Sequence, residues 1–277
     1  MDCGSPEKGL PLFVGRERSL LKFATVASGS SGNCSVITDG STHILIDAGV
    51  SARRITTGLK SLGIQPGELS AILITHEHSD HISGIPVLCR QLDVELYTAE
   101  GTAREICRKN PELQSRFRVF DPGERFALGD LVVGSFPVSH DCVSPVGYTV
   151  TRGDRKLTFC TDLGVVTQPV LEAVQGASTL VAEYNYDPEM LRTGPYPEYL
   201  KSRIAGQRGH LSNQVGAQLT RWAVERGTRQ VVLAHLSKEN NQPATARLAA
   251  QAGIGEREQS VELCVAPRSE ASAWMEV

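Results

Sequence analysis

Apolar residues run in short blocks along this chain, each broken by a Gly, Asn, Asp or Pro signal. FATVAS (23–28), CSVIT (34–38) and HILID (43–47) predict three strands, the last two joined by a turn at Asp39-Gly40. The apolar spacing then lengthens and predicts helices over 51–62, 82–92 and 99–109, alternating with strands at 71–74 and 94–97. From 117 to 160 the pattern is strand-rich, with LVVGSFPVS, VGYTV and KLTFC as its clearest runs. Alternation then resumes, ending in strands at 230–234 and 261–265. Strands interleaved with helices predict an α/β fold. No repeat or low-complexity block interrupts the pattern, so residues 20–277 read as one domain. Residues 1–19, rich in Gly, Pro and charge, read as a flexible N-terminal extension.

Composition excludes more than it assigns. The 277 residues are 40% apolar and 21% charged, with a net charge of −3, so no global basic field advertises a nucleic acid. A local basic groove would be invisible in that sum. No apolar run reaches the roughly 18 residues of a membrane span, and the first stretch lacks a secretory apolar core. The expectation is a cytoplasmic protein without a membrane partner. The seven cysteines (3, 34, 89, 107, 142, 160 and 264) are odd in number, scattered and without a CxxC pair. That argues against a disulfide framework and a thiolate cluster, and most read as small buried apolar residues.

The stretch AILITHEHSDHISG (71–84) departs from this ordinary pattern. A buried strand runs directly into His76, His78, Asp80 and His81. Two residues apart on extended backbone, His76 and His78 share a face and can bind one ion together. Asp80 and His81 fall where the chain turns into the next helix and can reach a second. No two of these histidines are four apart, which excludes the helical HExxH arrangement. Four such groups would repel one another and resist desolvation unless a cation compensated.

Strand-THxHxDHxxG resembles the signature of the metallo-β-lactamase fold. Its later ligands are matched in order by His140 after GSFPVS, Asp162 after KLTFCT and His235 after QVVLA. The resemblance implies an αββα sandwich, two facing mixed sheets flanked by helices. It also implies two divalent ions, zinc or manganese. His76, His78 and His140 would hold one, Asp80, His81 and His235 the other, and Asp162 would bridge them. Such a pair, about 3.5–4 Å apart, activates a water and clamps the attacking and departing oxygens. Asp80 and Asp162 would orient that water. Asp47, ending LIDAG, is either a carboxylate that orients a ligand or a polar cap on a turn. Ser30 and Asn33, in the flexible loop Ser28–Asn33, could approach a phosphate or simply turn the chain.

The fold alone does not name a substrate, since it serves lactams, thioesters and phosphodiesters. GHLSN (209–213) discriminates. Ser212 reads as the N-cap of a helix carrying Val215, Leu219, Trp222 and Ala223 at helical spacing, which puts His210 at the helix mouth. This is similar to the histidine that protonates the leaving oxygen in the phosphodiesterase branch of the fold, as in tRNase Z. There a carboxylate often neighbours the histidine; here Leu211 follows it, and Glu183 is the candidate to hold it protonated.

The segments ASGSSGN, LIDAG, THEHSDHISG, SHDCVSPVGY, TDLG, AEYNYDPEML, GPYPEYLKSRI, GHLSN and LAHLSKENN, from about residue 20 onward, resemble the bacterial YycJ/WalJ/VicX family. That family is associated with DNA 5′-exonuclease activity and repair. The implied partner is single-stranded or end-frayed DNA, with RNA and a protein partner left open and the oligomeric state unassigned. Asn185 falls in one of the matching segments and is a further substrate-binding candidate. Lys201, Arg203 and Arg208 could contact phosphates or form a solvated face. Tyr184, Tyr186, Tyr196 and Tyr199 could stack on unpaired bases or belong to the core. No span is long enough for a separate clamping domain like that of RNase J. The alternatives are a hydrolase of small phosphodiesters or thioesters, and a metal-bound regulatory protein linked to a two-component system.

Overall fold

The computed structural model describes residues 21–277; the extension expected over 1–19 lies outside the described residues. Two seven-stranded sheets face each other. The first contains β1 (Lys22–Ala27), β2 (Cys34–Thr38), β3 (His43–Ile46), β4 (Leu69–Leu73), β5 (Glu95–Ala99) and β6 (Phe117–Phe120) in sequence order. The second runs β7 (Arg125–Leu128), β8 (Leu131–Pro137), β9 (Val146–Arg152), β10 (Arg155–Cys160), β11 (Thr179–Glu183), β12 (Gln230–Ala234) and β13 (Glu262–Val265). A last strand, β14 (Met275–Glu276), returns to pair with β1. This is the expected αββα sandwich.

The strands read as nearly unbroken apolar runs because both of their faces are covered. Along β3 and β4, Ile44, Ile46, Ala71 and Leu73 enter the layer between the sheets, where they meet Val181, Val232 and Ala234. The alternate residues Leu45 and Ile72 face outward, beneath α1 (Ala52–Ser61) and α3 (Ile85–Gln91). On the other side Leu180, Ala182, Val231 and Leu233 pack against α5 (Gln168–Val174), α8 (Asn213–Val224) and α9 (Pro243–Ile254). Leu219 and Ala223 of α8 are buried there, and Ser212 Oγ caps the helix by accepting from Val215 N–H at 3.3 Å.

Some boundaries move. The helix expected over 82–92 splits into one turn, α2 (Ser79–Ile82), and α3, because the chain must pass Gly84 first. A Cβ there would lie 2.3 Å from the carbonyl oxygen of Val50. The loop Ser28–Asn33 is not free: Ser28 and Asn33 are buried and hydrogen-bonded, leaving Ser30 and Ser31 exposed. The six described cysteines are free, with three buried and three half-buried, so fewer are core residues than expected. Among the described residues no helix is long and apolar enough to cross a membrane.

Pairing aligns the strand ends that matter. Strands β3 to β6 are parallel, as are β10 to β13. Ile46 lies opposite Leu73, Cys160 opposite Ala182, and Glu183 opposite Ala234. The segments that follow therefore emerge together at the carboxyl edge, where open α/β sheets bind ligands.

Candidate metal centre and active site

Among the described residues, three non-glycine residues have left-handed backbone: Asp47 (φ 60°), Asp162 (φ 60°) and His235 (φ 57°). Each follows a strand, β3, β10 and β12 respectively. Such conformations cost about 1–3 kcal/mol and persist where surrounding bonds enforce them. Asp47 N–H donates to Leu73 O at 2.8 Å, and His235 N–H donates to Ser28 Oγ at 2.9 Å. The left-handed turn aims each side chain back over the edge of the sandwich. Gly49 allows the loop after Asp47 to press on the Asp80 backbone, where a Cβ would lie 1.6 Å from the Asp80 carbonyl oxygen.

Two ligand groups result. His76, His78 and His140 offer nitrogens within 4.8 Å of one another, and so do the donor atoms of Asp80, His81 and His235. Asp162 sits between them, one carboxylate oxygen 3.9 Å from His140 Nε2 and the other 3.5 Å from His81 Nε2. Four of the histidines are held in one orientation by their other nitrogen. Nδ1 of His76 meets Thr75 Oγ1 at 3.0 Å, and that of His81 meets Asp47 Oδ2 at 2.7 Å. Nδ1 of His140 meets Gly209 O at 3.0 Å, and that of His235 meets Glu183 Oε1 at 2.8 Å. With the proton on Nδ1, Nε2 is left as a lone-pair donor, the arrangement that orients metal-binding histidines.

The fit to cations rests on atoms that nothing else satisfies. Eight buried side-chain polar atoms among the described residues lack a hydrogen-bond partner, and five cluster here: Nε2 of His76, His140 and His235, Asp162 Oδ2 and Asp141 Oδ1. Unpartnered buried polar atoms are expensive, and divalent cations would satisfy them together. His81 Nε2 differs, meeting Asn33 Nδ2 at 3.1 Å. The charges of the site also oppose burial. Burial, reinforced by His81 and His140, holds His76 well below the usual imidazole range. For His235 burial acts downward too, but Asp162 and Asp80 outweigh it and push it up to about 10. Desolvation would raise the Asp80 carboxyl, but the His235 and His81 rings, 3.8 and 3.5 Å away, hold it far below the carboxylate range.

Glu183 is the fully buried hub of this edge. Its Oε1 accepts from His235 Nδ1 and, at 2.9 Å, from His210 Nδ1; its Oε2 accepts from the N–H groups of Leu163 and Leu211. Desolvation would raise its pKa, but His210 and His235 hold it well below the usual range. The His210 ring lies 5.0 Å from that of His140 and 5.2 Å from that of His235, facing both ligand groups.

The remaining expected residues divide. Asp47 orients a candidate ligand and is not a solvated cap. Ser30, Asn185 and Arg203 line a cavity of about 230 Å³ over the ligands. Asn185 also donates to the carbonyl of His235 at 2.9 Å. Lys201 does not reach that cavity, because its Nζ donates to Arg192 O and Glu198 Oε1. Arg208 donates to the carbonyls of His140 and Cys142, so it braces the His140 loop and leaves the phosphate role to others. Tyr184 and Tyr186 are buried and cannot stack on bases.

Two elements escaped the sequence reading. Asp141 lies 3.5 Å from His140 Nε2 and pairs with Arg203 at 2.5 Å, yet a carboxylate after a histidine looks like any loop charge. Asn213 and Asn241 form a reciprocal amide pair at 2.8–3.0 Å that joins the His210 and His235 loops. Their signal lay in GHLSN and LSKENN, where buried asparagines are indistinguishable from turn residues.

A beta-lactamase superfamily domain matches residues 42–236. The exodeoxyribonuclease WalJ of Streptococcus pneumoniae is 40% identical over 223 residues, covering 79% of this chain and 83% of the relative. The chain belongs to the WalJ/YycJ family of the beta-lactamase superfamily. Another family member, the exodeoxyribonuclease YycJ of Bacillus anthracis, is 37% identical over 239 residues, covering 86% of this chain and 90% of its own. The fold extends beyond the WalJ/YycJ family: the metallo-beta-lactamase fold protein YhfI from Bacillus subtilis superposes with a TM-score of 0.69 at 15% identity, covering 91% of this chain and 99% of YhfI.

Proposed function

We propose that this chain is a metal-dependent exodeoxyribonuclease that hydrolyses phosphodiester bonds from 5′ ends in DNA repair. The observation carrying this reading is the convergence of unpartnered Nε2 and carboxylate atoms on one cavity, faced by a histidine anchored on a buried carboxylate. The names of the WalJ and YycJ relatives support DNA as the substrate. The donor set is imidazole and carboxylate without thiolate, which suits zinc and manganese, and its two groups suit two ions.

Bound there, such ions would supply an activated water and neutralise charge on the phosphate. The chain's own residues do the rest. Asp80 and Asp162 accept hydrogen bonds from the attacking water and aim it at phosphorus. Glu183 accepts from Nδ1–H of His210 and offsets the charge of its imidazolium, whose second proton, on Nε2, moves to the leaving oxygen as the phosphorus–oxygen bond breaks. The Asn213–Asn241 pair keeps the His210 and His235 loops in register. Residues 20–277 act as one catalytic unit in the cytoplasm, with single-stranded or frayed DNA as the partner.

The test is incubation of metal-loaded protein with end-labelled single- and double-stranded DNA and RNA bearing 5′ phosphate or hydroxyl. The expected result is progressive release of mononucleotides from DNA 5′ ends. Internal cuts, preference for RNA, or turnover of only a small diester such as bis-p-nitrophenyl phosphate would overturn it.

A further inference from the structure

The roof of the cavity differs from its floor. The lining outside the ligands, its roof, includes Tyr196, Leu200, Arg203 and Ile204, the last three on α7 (Glu198–Ile204). Spaced three and four apart, Leu200, Arg203 and Ile204 share one face of that helix. None of the residues of α7 is buried, so this helix does not spend its apolar side chains on the core. Leu200 and Ile204 are instead half-buried against the cavity, as is Tyr196 just before the helix. An apolar surface kept beside a polar site marks a place where a ligand's own apolar face docks.

The roof is held at a set height. Ser139 Oγ donates to Gln207 O at 2.8 Å, and Gly164 packs so closely on that carbonyl that a Cβ would lie 2.4 Å from it. Arg208 ties the same segment to the carbonyls of His140 and Cys142. The enclosed volume, about 230 Å³, lies below the roughly 300–1,000 Å³ of drug-sized pockets. A slot of that size suits one base better than a base pair.

Resting on the nuclease reading above, we propose that Tyr196, Leu200 and Ile204 form a platform for the base of a single unpaired terminal nucleotide, with Arg203 taking its phosphate. The aromatic face of Tyr196 stacks on any base, and the aliphatic pair closes the slot. Arg203 engages Asp141 through Nε, and with its side chain 59% exposed the two terminal nitrogens are offered to an anion. The substrate class is thereby narrowed to DNA whose terminal nucleotide is unpaired. A blunt duplex must fray before it enters.

Tyr196→Ala and Tyr196→Phe test this, with Tyr199→Ala as the control, since Tyr199 is 76% exposed and outside the cavity. The readouts are KM and kcat on single-stranded and blunt double-stranded DNA, the same constants on bis-p-nitrophenyl phosphate, and quenching of 2-aminopurine at the terminal position. Tyr196→Ala should lower the DNA-to-small-diester ratio of kcat/KM by roughly 5- to 150-fold, mainly through KM, as loss of one base stack does. It should also abolish the quenching, while Phe restores both and Tyr199→Ala changes neither. An unaltered ratio, equal loss in Tyr199→Ala, or a wild type that prefers blunt duplex would overturn the platform and leave the nuclease reading standing. A wild type that cuts no DNA would sink both.

Discussion

The floor and the roof of the cavity are built on opposite plans. The floor is built from loops that leave strands of the sandwich and from the helical turn α2, three of its residues in strained backbone, and four of its imidazoles are fixed by Thr75, Asp47, Glu183 or a carbonyl. The roof is one short helix with no buried residue, held by its following loop. Chemistry that fails with a displacement of about an ångström belongs on rigid sheet ends. Selection among substrates belongs on a surface that can change without disturbing the sheets.

Substitutions sharpen that contrast, and those in the floor should be the most severe. Asp162→Asn keeps a residue that tolerates left-handed backbone but removes the charge between the two ligand groups. DNA cleavage should fall to background with circular dichroism unchanged; retained cleavage would break the assignment of the floor. Next in size is His210→Ala, which should reduce kcat on DNA by about 10²–10⁴-fold while leaving bound metal in place. The loss should be much smaller on bis-p-nitrophenyl phosphate, whose departing phenolate needs no proton. Equal losses on both substrates would remove His210 from the proton-transfer step.

Glu183→Gln follows. Its amide can accept at one atom only, so His235, His210 and two backbone N–H groups must share what the carboxylate served. Metal affinity, read by competition with a chromogenic chelator, should fall about 10–100-fold. Far from either region, Asp39 supplies the smallest effect. It accepts from Thr42 N, Ser41 N and Ser41 Oγ and pairs with Arg152. Burial raises its pKa, but the backbone bonds from Thr42 and Ser41 prevail and leave it below the usual value. Its stabilisation is therefore present above the unfolded carboxylate value of about 3.9 and lost as pH falls through the folded one. Asp39→Asn should cost about 1 kcal/mol at neutral pH, flatten the acid limb of a pH–stability curve, and leave cleavage alone.

The floor was legible in sequence because its residues are punctuated by apolar runs: HILI before Asp47, AILI before His76, QVVLA before His235. A buried strand ending in a ligand-type side chain has few physical explanations. The contact between His210 and Glu183 follows from chemistry and not from spacing, since residues 27 apart meet only once the sheet is formed. The roof was the least legible. Four tyrosines between 184 and 199, and Lys201, Arg203 and Arg208 after them, carry the same local signal whether they face core, solvent or cavity. Amphipathic side chains are decided by tertiary packing, which sent Tyr184 and Tyr186 inward and turned Lys201 and Arg208 to carbonyls.

Counting ions tests the floor most directly. Native mass spectrometry of chelator-stripped protein reloaded with zinc or manganese should find two ions per chain, and fewer in Asp162→Asn. One ion or none in the wild type under saturating metal, or two held equally well without the Asp162 charge, would contradict the paired-cation centre.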